Sequence, residues 1–375
     1  MVDKPPYKVP SMAEIEALPP NGYKVVSTFS GGGGSCLGYR MAGFTVVYAN
    51  EFVEEAQKTY RLNHSAYLDA RDIRTVKPED ILQITGLKQG EIDLFDGSPP
   101  CCAFSTAGSR EKGWNQQRDY SDGKKQRVDD LFFEYARLLR GLQPKTFIAE
   151  NVSGLVKGTA KGYFKLILAE LKDCGYEVRA KLLNAAWLGV PQSRERLIFC
   201  GVRKDLAEKY NVHPTFPHPF PYCYTLKDAF EELTQDEKQR VFLLDSAKKY
   251  AWYNVLKKIP KNPVKPISGQ KVTGGSFFNL KRESMFCPSS TICQQNGEIG
   301  LSGNCSPLED RKLTIPELRR ITSIPDDFKL TGNYSQQWER LARMVPPVMM
   351  KQIAATIARE ILSKIPPEEK AHARR

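Results

Sequence analysis

Histidine is scarce in this chain, four in 375 residues, and none of its nine cysteines forms a C-x2-C pair. Cys287, Cys293 and Cys305 lack the spacing of a zinc site and no histidines cluster near them, so no metal centre is expected. An odd number of scattered cysteines predicts free thiols in a reducing, intracellular compartment rather than a disulfide framework. No apolar run is long enough to span a bilayer. The opening "MVDKPPYKVPSMAEIEALPP" has no apolar stretch of the kind a signal peptide needs. Internal repeats are absent. So is the G-x-G-x-x-G of a dinucleotide site: the nearest set, Gly33, Ser35 and Gly38, has serine in the middle. These absences argue against a membrane protein, a secreted disulfide scaffold, a zinc protein and a nicotinamide oxidoreductase.

What is present is a chain with 41% hydrophobic residues, enough for one large core or two domains. The net charge of +12 fits either a surplus spread over the surface or a polyanionic partner such as nucleic acid. Residues 1–23 are proline-rich and read as a tether or irregular arm. From Lys24, short apolar runs alternate with amphipathic stretches. "KVVSTF", "TVVYANEF", "EIDLFDG", "KTFIAENV" and "RLIFCGV" read as strands; "VEEAQKTYRLN", "VDDLFFEYARLLRGL" and "YFKLILAELKDCGY" read as helices. This alternation through residue 203 predicts a doubly wound α/β sheet, whose ligands bind at the carboxyl ends of the strands. Residues 204–310 break the pattern and read as a separate, irregular or β-rich lobe. Helices return in 311–375. There Thr314 and Glu317 form a capping box around Pro316, and "PPVMMKQIAATIAREILSKI" is a long amphipathic helix.

Four constellations could carry chemistry. In "TFSGGGGSCLG" a glycine turn lets backbone approach a ligand closely. There Phe29 could stack on an adenine, Glu51 could take ribose hydroxyls and Asp72 could accept from an exocyclic amine; a tight turn with unrelated acids is the competing reading. In "GSPPCCAFS" Pro100 pins a turn before Cys101 and Cys102. A lone cysteine is usually structural, but a long polar loop follows that could close over a substrate. Glu150, in "AENV", ends a hydrophobic strand and is either a turn cap or an acid held at a crevice. Arg194 and Arg196, in "QSRERL", alternate on an incipient strand. They form surface pairs, hold a substrate or orient Glu150.

The order F-x-G-x-G-G, P-P-C-x-x-F-S, E-N-V, Q-x-R-x-R, a variable region, R-x-L-T-x-x-E and V-P-P resembles the DNA (cytosine-5) methyltransferase family over residues 23–203 and 311–363. The resemblance implies a Rossmann-like S-adenosylmethionine-dependent sheet at 24–203, a target recognition domain at 204–310, and C-terminal helices at 311–375 that complete the catalytic domain. It implies that Cys101 is the nucleophile, that Glu150 acts at the pyrimidine N3, that Arg196 contacts the cytosine carbonyl or holds Glu150, and that Arg194 helps anchor the closed site. Cys102 stands where the family most often has glutamine. Phe29, Gly31, Gly33, Gly34, Glu51, Phe52, Asp72, Ile73, Pro100 and Val345 match the cofactor pocket, and Leu131 its apolar wall. Ser27 replaces a common aspartate, and Arg343 replaces an asparagine near the cofactor's methionine end.

The implied cofactor is S-adenosyl-L-methionine, released as S-adenosyl-L-homocysteine. The implied partner is duplex DNA with a flipped-out target cytosine. The segment 105–127, with Ser105 and Arg110, would close behind that base. The stretch 248–271 holds seven lysines and no acid. Among them Lys248, Lys249, Lys257, Lys258 and Lys271 suit phosphate contacts, and side chains of "GQKVTGGS" or "QQNGEIG" would read base edges. The resemblance further implies a monomer of prokaryotic or phage origin in the cytoplasm, associated with the nucleoid, with a cognate restriction endonuclease as a second partner. Two other readings remain: a tRNA cytosine-5 methyltransferase of the same family, and a non-catalytic DNA-binding homologue.

Overall fold

The computed structural model describes residues 4–100, 117–119, 125–127, 131–156 and 161–366. The described residues up to 203 form nine strands, five of them from the apolar runs: β1 (Lys24–Thr28), β2 (Thr45–Asn50), β3 (Tyr67–Asp69), β4 (Leu94–Gly97), β5 (Gln117–Asp119), β6 (Lys125–Arg127), β7 (Thr146–Val152), β8 (Tyr176–Asn184) and β9 (Glu195–Arg203). Seven of them form one sheet in the order β3-β2-β1-β4-β7-β9-β8. β9 runs antiparallel to both its neighbours, and the other pairings are parallel. β5 and β6 pair as a separate ribbon. The expected α/β sheet is therefore present, with an antiparallel strand inserted near one edge. β8 has no counterpart in the sequence reading. Its charged residues Glu177, Arg179 and Lys181 alternate with less polar ones at the sheet edge, and the segment follows directly on the helix stop at Gly175.

Both faces of the sheet are covered, because alternate strand residues point to opposite sides. Val25 packs with Tyr39, Leu94, Ile198, Met349 and Ile353 on one face. Val26 packs with Phe95, Tyr135, Leu138, Phe147 and Phe199 on the other. Helix Leu131–Leu142 supplies the second face from the apolar positions its period predicts. Helix Pro347–Glu360, with proline in its first turn as expected, lies against helix Gly34–Met41. Gly38 makes this possible: a Cβ there would stand 2.6 Å from the Met350 Cβ and from the Pro347 carbonyl oxygen. The capping box around Pro316 forms, with Thr314 N–H donating to Glu317 Oε2 at 2.7 Å.

The N-terminal arm is docked on the rest of the chain. Helix Met12–Glu16 buries Ile15 among Leu37, Leu318 and Ile321, and Tyr7 donates to the Arg320 carbonyl at 2.7 Å. The lobe of 204–310 is largely irregular, and its regular structure is more helix than strand. Helices Glu237–Ala247 and Ala251–Leu256 stand beside three two-residue strands, β10 (Ile267–Ser268), β11 (Lys281–Arg282) and β12 (Asn304–Cys305). A small core of Trp252, Leu256, Ile259, Leu280 and Cys305 holds them together.

Candidate active site

β1, β2, β3, β4 and β7 run in one direction, so their carboxyl ends meet along one edge of the sheet. The glycine loop follows β1 there. It is packed on one side and open on the other. A Cβ on Gly32 would lie 2.2 Å from Met344 Cε, one on Gly33 would lie 2.0 Å from His64 Nε2, and one on Gly34 would lie 2.4 Å from the Val345 carbonyl. A Cβ on Gly31 would meet nothing within 4 Å. The loop therefore presents open backbone to a ligand from a wedged base. Phe29 opens it in a left-handed conformation, φ 53°, uncommon for a residue with a side chain.

Glu51 follows β2. Its carboxylate accepts from the Gly31 and Val53 N–H groups, both at 2.7 Å. Burial raises its pKa, and those N–H groups with Arg340 and Arg343 work against the rise. Asp72 caps a short turn, Ile73–Thr75, accepting from Arg74 N–H and pairing with its guanidinium at 3.1 Å. Ile73 and Leu131 are buried in the core cluster on which Phe29 packs, so they form wall. Val345 is buried behind Gly34, and Phe52 is half-buried beside Glu51.

The proline turn after β4 is pinned from both sides. Ser98 Oγ donates to the Phe29 carbonyl at 3.2 Å, Thr28 Oγ1 donates to the Asp96 carbonyl at 3.1 Å, and Asn151 Nδ2 donates to the Pro99 carbonyl at 3.3 Å. The asparagine of "ENV" thus ties the turn to β7, a role the sequence reading did not assign. Pro100 is the last described residue of this segment; Cys101, Cys102, Ser105 and Arg110 lie outside the described residues.

Glu150 sits inside β7, opposite Ile198 of β9, and β7 continues two residues beyond it. The expectation that it ends the strand is corrected: pairing with β9 prolongs β7 through Val152. Arg196 Nε meets Glu150 Oε1 at 2.6 Å, with both side chains nearly buried. Arg194 stands within Coulombic reach of Glu150 and Arg196 but is anchored elsewhere. It precedes β9, is 4% exposed, and donates to the Ile292 carbonyl of the lobe at 3.4 Å. Burial and the neighbouring Arg196 push its pKa down to about 9. The lobe segment 289–292 clamps this stretch, with Ser193 N–H donating to the Ser289 carbonyl at 2.8 Å and Thr291 Oγ1 to the Ser193 carbonyl at 2.7 Å. One arginine of the motif holds the acid and the other holds the lobe.

Under the edge lies a buried carboxyl that the sequence reading passed over. Asp96 accepts from Ser27 Oγ and Tyr39 Oη, each at 2.9 Å, and Ser30 Oγ donates on to Ser27 at 3.0 Å. Burial pushes Asp96 up to about 7, opposed by those two hydroxyls and assisted by Glu150. An acid does stand against β1 here, but it projects from β4 onto Ser27.

A cleft of about 610 Å³ separates the ends of β8 and β9 from the lobe, lined among others by Asn184, Trp187, Ser193, Lys281 and Thr291. Lys248, Lys249, Lys257, Lys258 and Lys271 are all exposed. Lys248 pairs with Asp245 at 2.8 Å, and Lys257 covers the Tyr253 ring. Of the two segments expected to read bases, "QQNGEIG" is largely anchored. Asn296 and Gly297 are buried, Gly297 packs on Trp338, and Lys312 Nζ donates to the Asn296 and Glu298 carbonyls. Residues 270–276 are exposed. No described helix is long and apolar enough to cross a membrane.

A family model of C-5 cytosine-specific DNA methylases matches residues 23–359. The chain is 32% identical over 375 residues to the type II methyltransferase M.FnuDI of Fusobacterium nucleatum, covering 92% of this chain and 96% of that one. It is 29% identical over 369 residues to M.NgoPII of Neisseria gonorrhoeae, covering 91% and 97%. Its fold is like that of a DNA modification methyltransferase encoded within an Escherichia coli prophage, at TM-score 0.67 and 20% identity over 91% of this chain and 100% of that one. The DNMT2 structure of Spodoptera frugiperda has a TM-score of 0.61, at 18% identity, 88% and 98% coverage.

Proposed function

Because the chain belongs to the C-5 cytosine-specific DNA methylase family and is a DNA cytosine methyltransferase, we propose that it methylates C5 of a flipped-out cytosine in a short duplex sequence. The methyl donor would be S-adenosylmethionine and the route a covalent adduct at Cys101. The observation that supports this most is the Glu150–Arg196 pair at the same sheet edge as the pinned proline turn and the open glycine loop.

The open face of Gly31, the Glu51 carboxylate and the Phe29 ring fit a nucleoside with ribose hydroxyls; the donor they would hold supplies an electrophilic methyl group. The rest falls to this chain's own residues. Cytosine C5 is too weak a nucleophile to take a methyl group unaided. Addition of the Cys101 thiolate to C6 forms an S–C6 bond and pushes the C5=C6 electron pair toward C5 and N3. Arg196 binds Glu150 Oε1, which orients Oε2 toward N3, where a proton stabilises the growing charge. The methyl group would pass to C5 as its bond to the donor's sulfonium sulfur breaks, leaving S-adenosylhomocysteine; loss of the C5 proton to a base would then re-form the C5=C6 bond and expel Cys101 as thiolate. Asn151, Ser98 and Thr28 hold the turn that carries the thiol, and positioning of this kind lowers the barrier through entropy already spent in folding. The lobe would present residues 270–276 to the bases. The names of the curated relatives suggest a type II restriction–modification setting, with a cognate endonuclease as partner.

Duplex DNA with 5-fluorocytosine at the target tests the mechanism, because fluorine at C5 cannot leave as a proton. The full chain should form a denaturation-resistant adduct that Cys101→Ser abolishes and Cys102→Ser retains. The opposite pattern overturns the assignment of the nucleophile. Bisulfite sequencing of a methylation-free host should show one short methylated motif. Methylated host tRNA with unmethylated DNA would favour the RNA reading instead.

A further inference from the structure

Trp187 is 47% exposed, whereas Ala185 and Leu188 of the same short turn are buried. The turn is fixed at both ends. Asn184 caps it by accepting from Ala186 N–H at 3.0 Å, and Gly189 closes it at φ 89°. The Trp187 carbonyl accepts from Phe220 N–H at 2.8 Å. An aromatic side chain on so rigid a mount loses little freedom when a partner covers it. Trp187 lines the cleft of about 610 Å³ between the sheet and the lobe. From the lobe, Pro266 and Pro288 add apolar wall, and Lys281 adds a cation that makes no salt bridge among the described residues. Val264 and Phe286, 75% and 55% exposed, extend the apolar surface beside Cys287 of the lining. An exposed apolar surface with a polar border marks an interaction site. The free cation and the net charge of +12 suit a polyanion.

Strand pairing sets the distance from this cleft to the catalytic acid. Glu150 of β7 stands opposite Ile198 of β9, which stands opposite Lys181 of β8, and Asn184 of the cleft wall follows three residues on. Two strand spacings and that rise together span about 14 Å. One strand of duplex DNA advances about 3.4 Å per nucleotide, so a nucleotide within about four steps of the cytosine at Glu150 reaches the cleft.

We propose that this cleft is an accessory nucleotide site, in which Trp187 stacks on a second base displaced from the helix near the target cytosine and Lys281 meets its phosphate. The inference rests on the reading of the substrate as duplex DNA. Withdrawing the target base leaves its neighbours with an uncovered face. The indole takes the place of the lost stacking partner. Every base has a π-face, so stacking of this kind adds affinity without reading sequence.

Binding of the full chain to a duplex carrying its methylated motif tests this. A tetrahydrofuran abasic spacer is moved one nucleotide at a time through the positions within about four steps of the target. At the position that fills the cleft, the spacer should cost the wild type about five- to 150-fold in affinity, the range for one stacked base. Trp187→Ala should lose a comparable factor on the intact duplex, and that same spacer should then cost it less than about twofold more. Spacers elsewhere should cost both chains alike. Trp187→Phe should retain part of the effect. Trp187→Ala should keep the melting temperature and S-adenosylhomocysteine affinity of the wild type, because the lost side chain is half exposed. 2-Aminopurine at the same position should be quenched by the indole in the wild-type complex and bright in the Trp187→Ala complex. Costs of spacer and substitution that add at every position refute the inference, and so does a 2-aminopurine signal that is the same in both complexes. A wild-type chain that binds no duplex refutes the DNA reading itself.

Discussion

The Asp96 carboxyl makes a prediction that a measurement across pH can break. In the unfolded chain an aspartate titrates near 3.8, whereas burial moves Asp96 up to about 7 in the fold. Below pH about 4 both forms carry the proton and the group contributes no pH dependence. Between about 4 and 7 the unfolded chain has released the proton and the folded chain has kept it, so stability falls as pH rises. Each pH unit costs about 1.4 kcal/mol, and the whole gap amounts to about 4 kcal/mol, an upper limit reached above pH 7. Asp96→Asn removes the titration and leaves a polar group of the same size against Ser27 and Tyr39, at a cost of about 1 kcal/mol for an imperfect hydrogen bond. Urea unfolding of the ligand-free wild type and variant, compared at matched pH, isolates this residue. The advantage of the variant should grow by about 2–3 kcal/mol between pH 5 and pH 8 and flatten above pH 8. Glu150→Gln removes the neighbouring charge that assists the rise, so in that background the growth should be smaller. A difference that stays level across this range, or that grows toward low pH, would refute the argument that Asp96 is held protonated by burial.

Gly33 sits at φ 95° with His64 beneath it. Gly33→Ala should lower stability by more than about 2 kcal/mol, yet by only about 1 kcal/mol in a His64→Ala background, where backbone strain alone remains; denaturation of the four chains checks this. Glu150→Gln should reduce kcat by at least about 10²-fold while leaving S-adenosylhomocysteine affinity within about twofold. Because the two residues act as a unit, adding Arg196→Met should cost far less than it does alone, as single-turnover methylation would show. Asn151→Ala should reduce the rate of 5-fluorocytosine trapping by about tenfold through a loosened turn, with little change in DNA affinity. Lys257→Gln with Lys258→Gln should flatten the salt dependence of DNA binding by up to about 1.8 in the log–log slope if both reach phosphates; a slope unchanged within error would place them away from the duplex.

How much of this was legible in the chain differs from element to element. Strands β1, β2, β4, β7 and β9 follow from apolar runs, and they come out where the text places them. β8 escaped because an edge strand is half exposed and its charged alternation resembles a solvated loop. The motif residues Glu51, Glu150 and Arg196 could be named in advance, since each occupies a fixed place in an ordered set of short signatures. Arg194 could be named too, but its hydrogen bond could not, because the Ile292 carbonyl that accepts it lies 98 residues further on. The lobe's own core gave little signal, being assembled from two short helices and paired fragments of two residues each.

Local pattern was enough to write an α/β chain with a glycine loop, a proline turn ahead of two cysteines and a strand acid at Glu150, because each is written in contiguous residues. Which distant side chains meet was decided only when the chain closed. Asp96 finds Ser27 across two strands, His64 wedges Gly33, and Arg340 reaches the glycine loop from three hundred residues away. Such encounters depend on strand order and on the path by which the last helices return to the sheet. Local preferences carry no record of either, since burial and pairing act between residues that are neighbours in space alone.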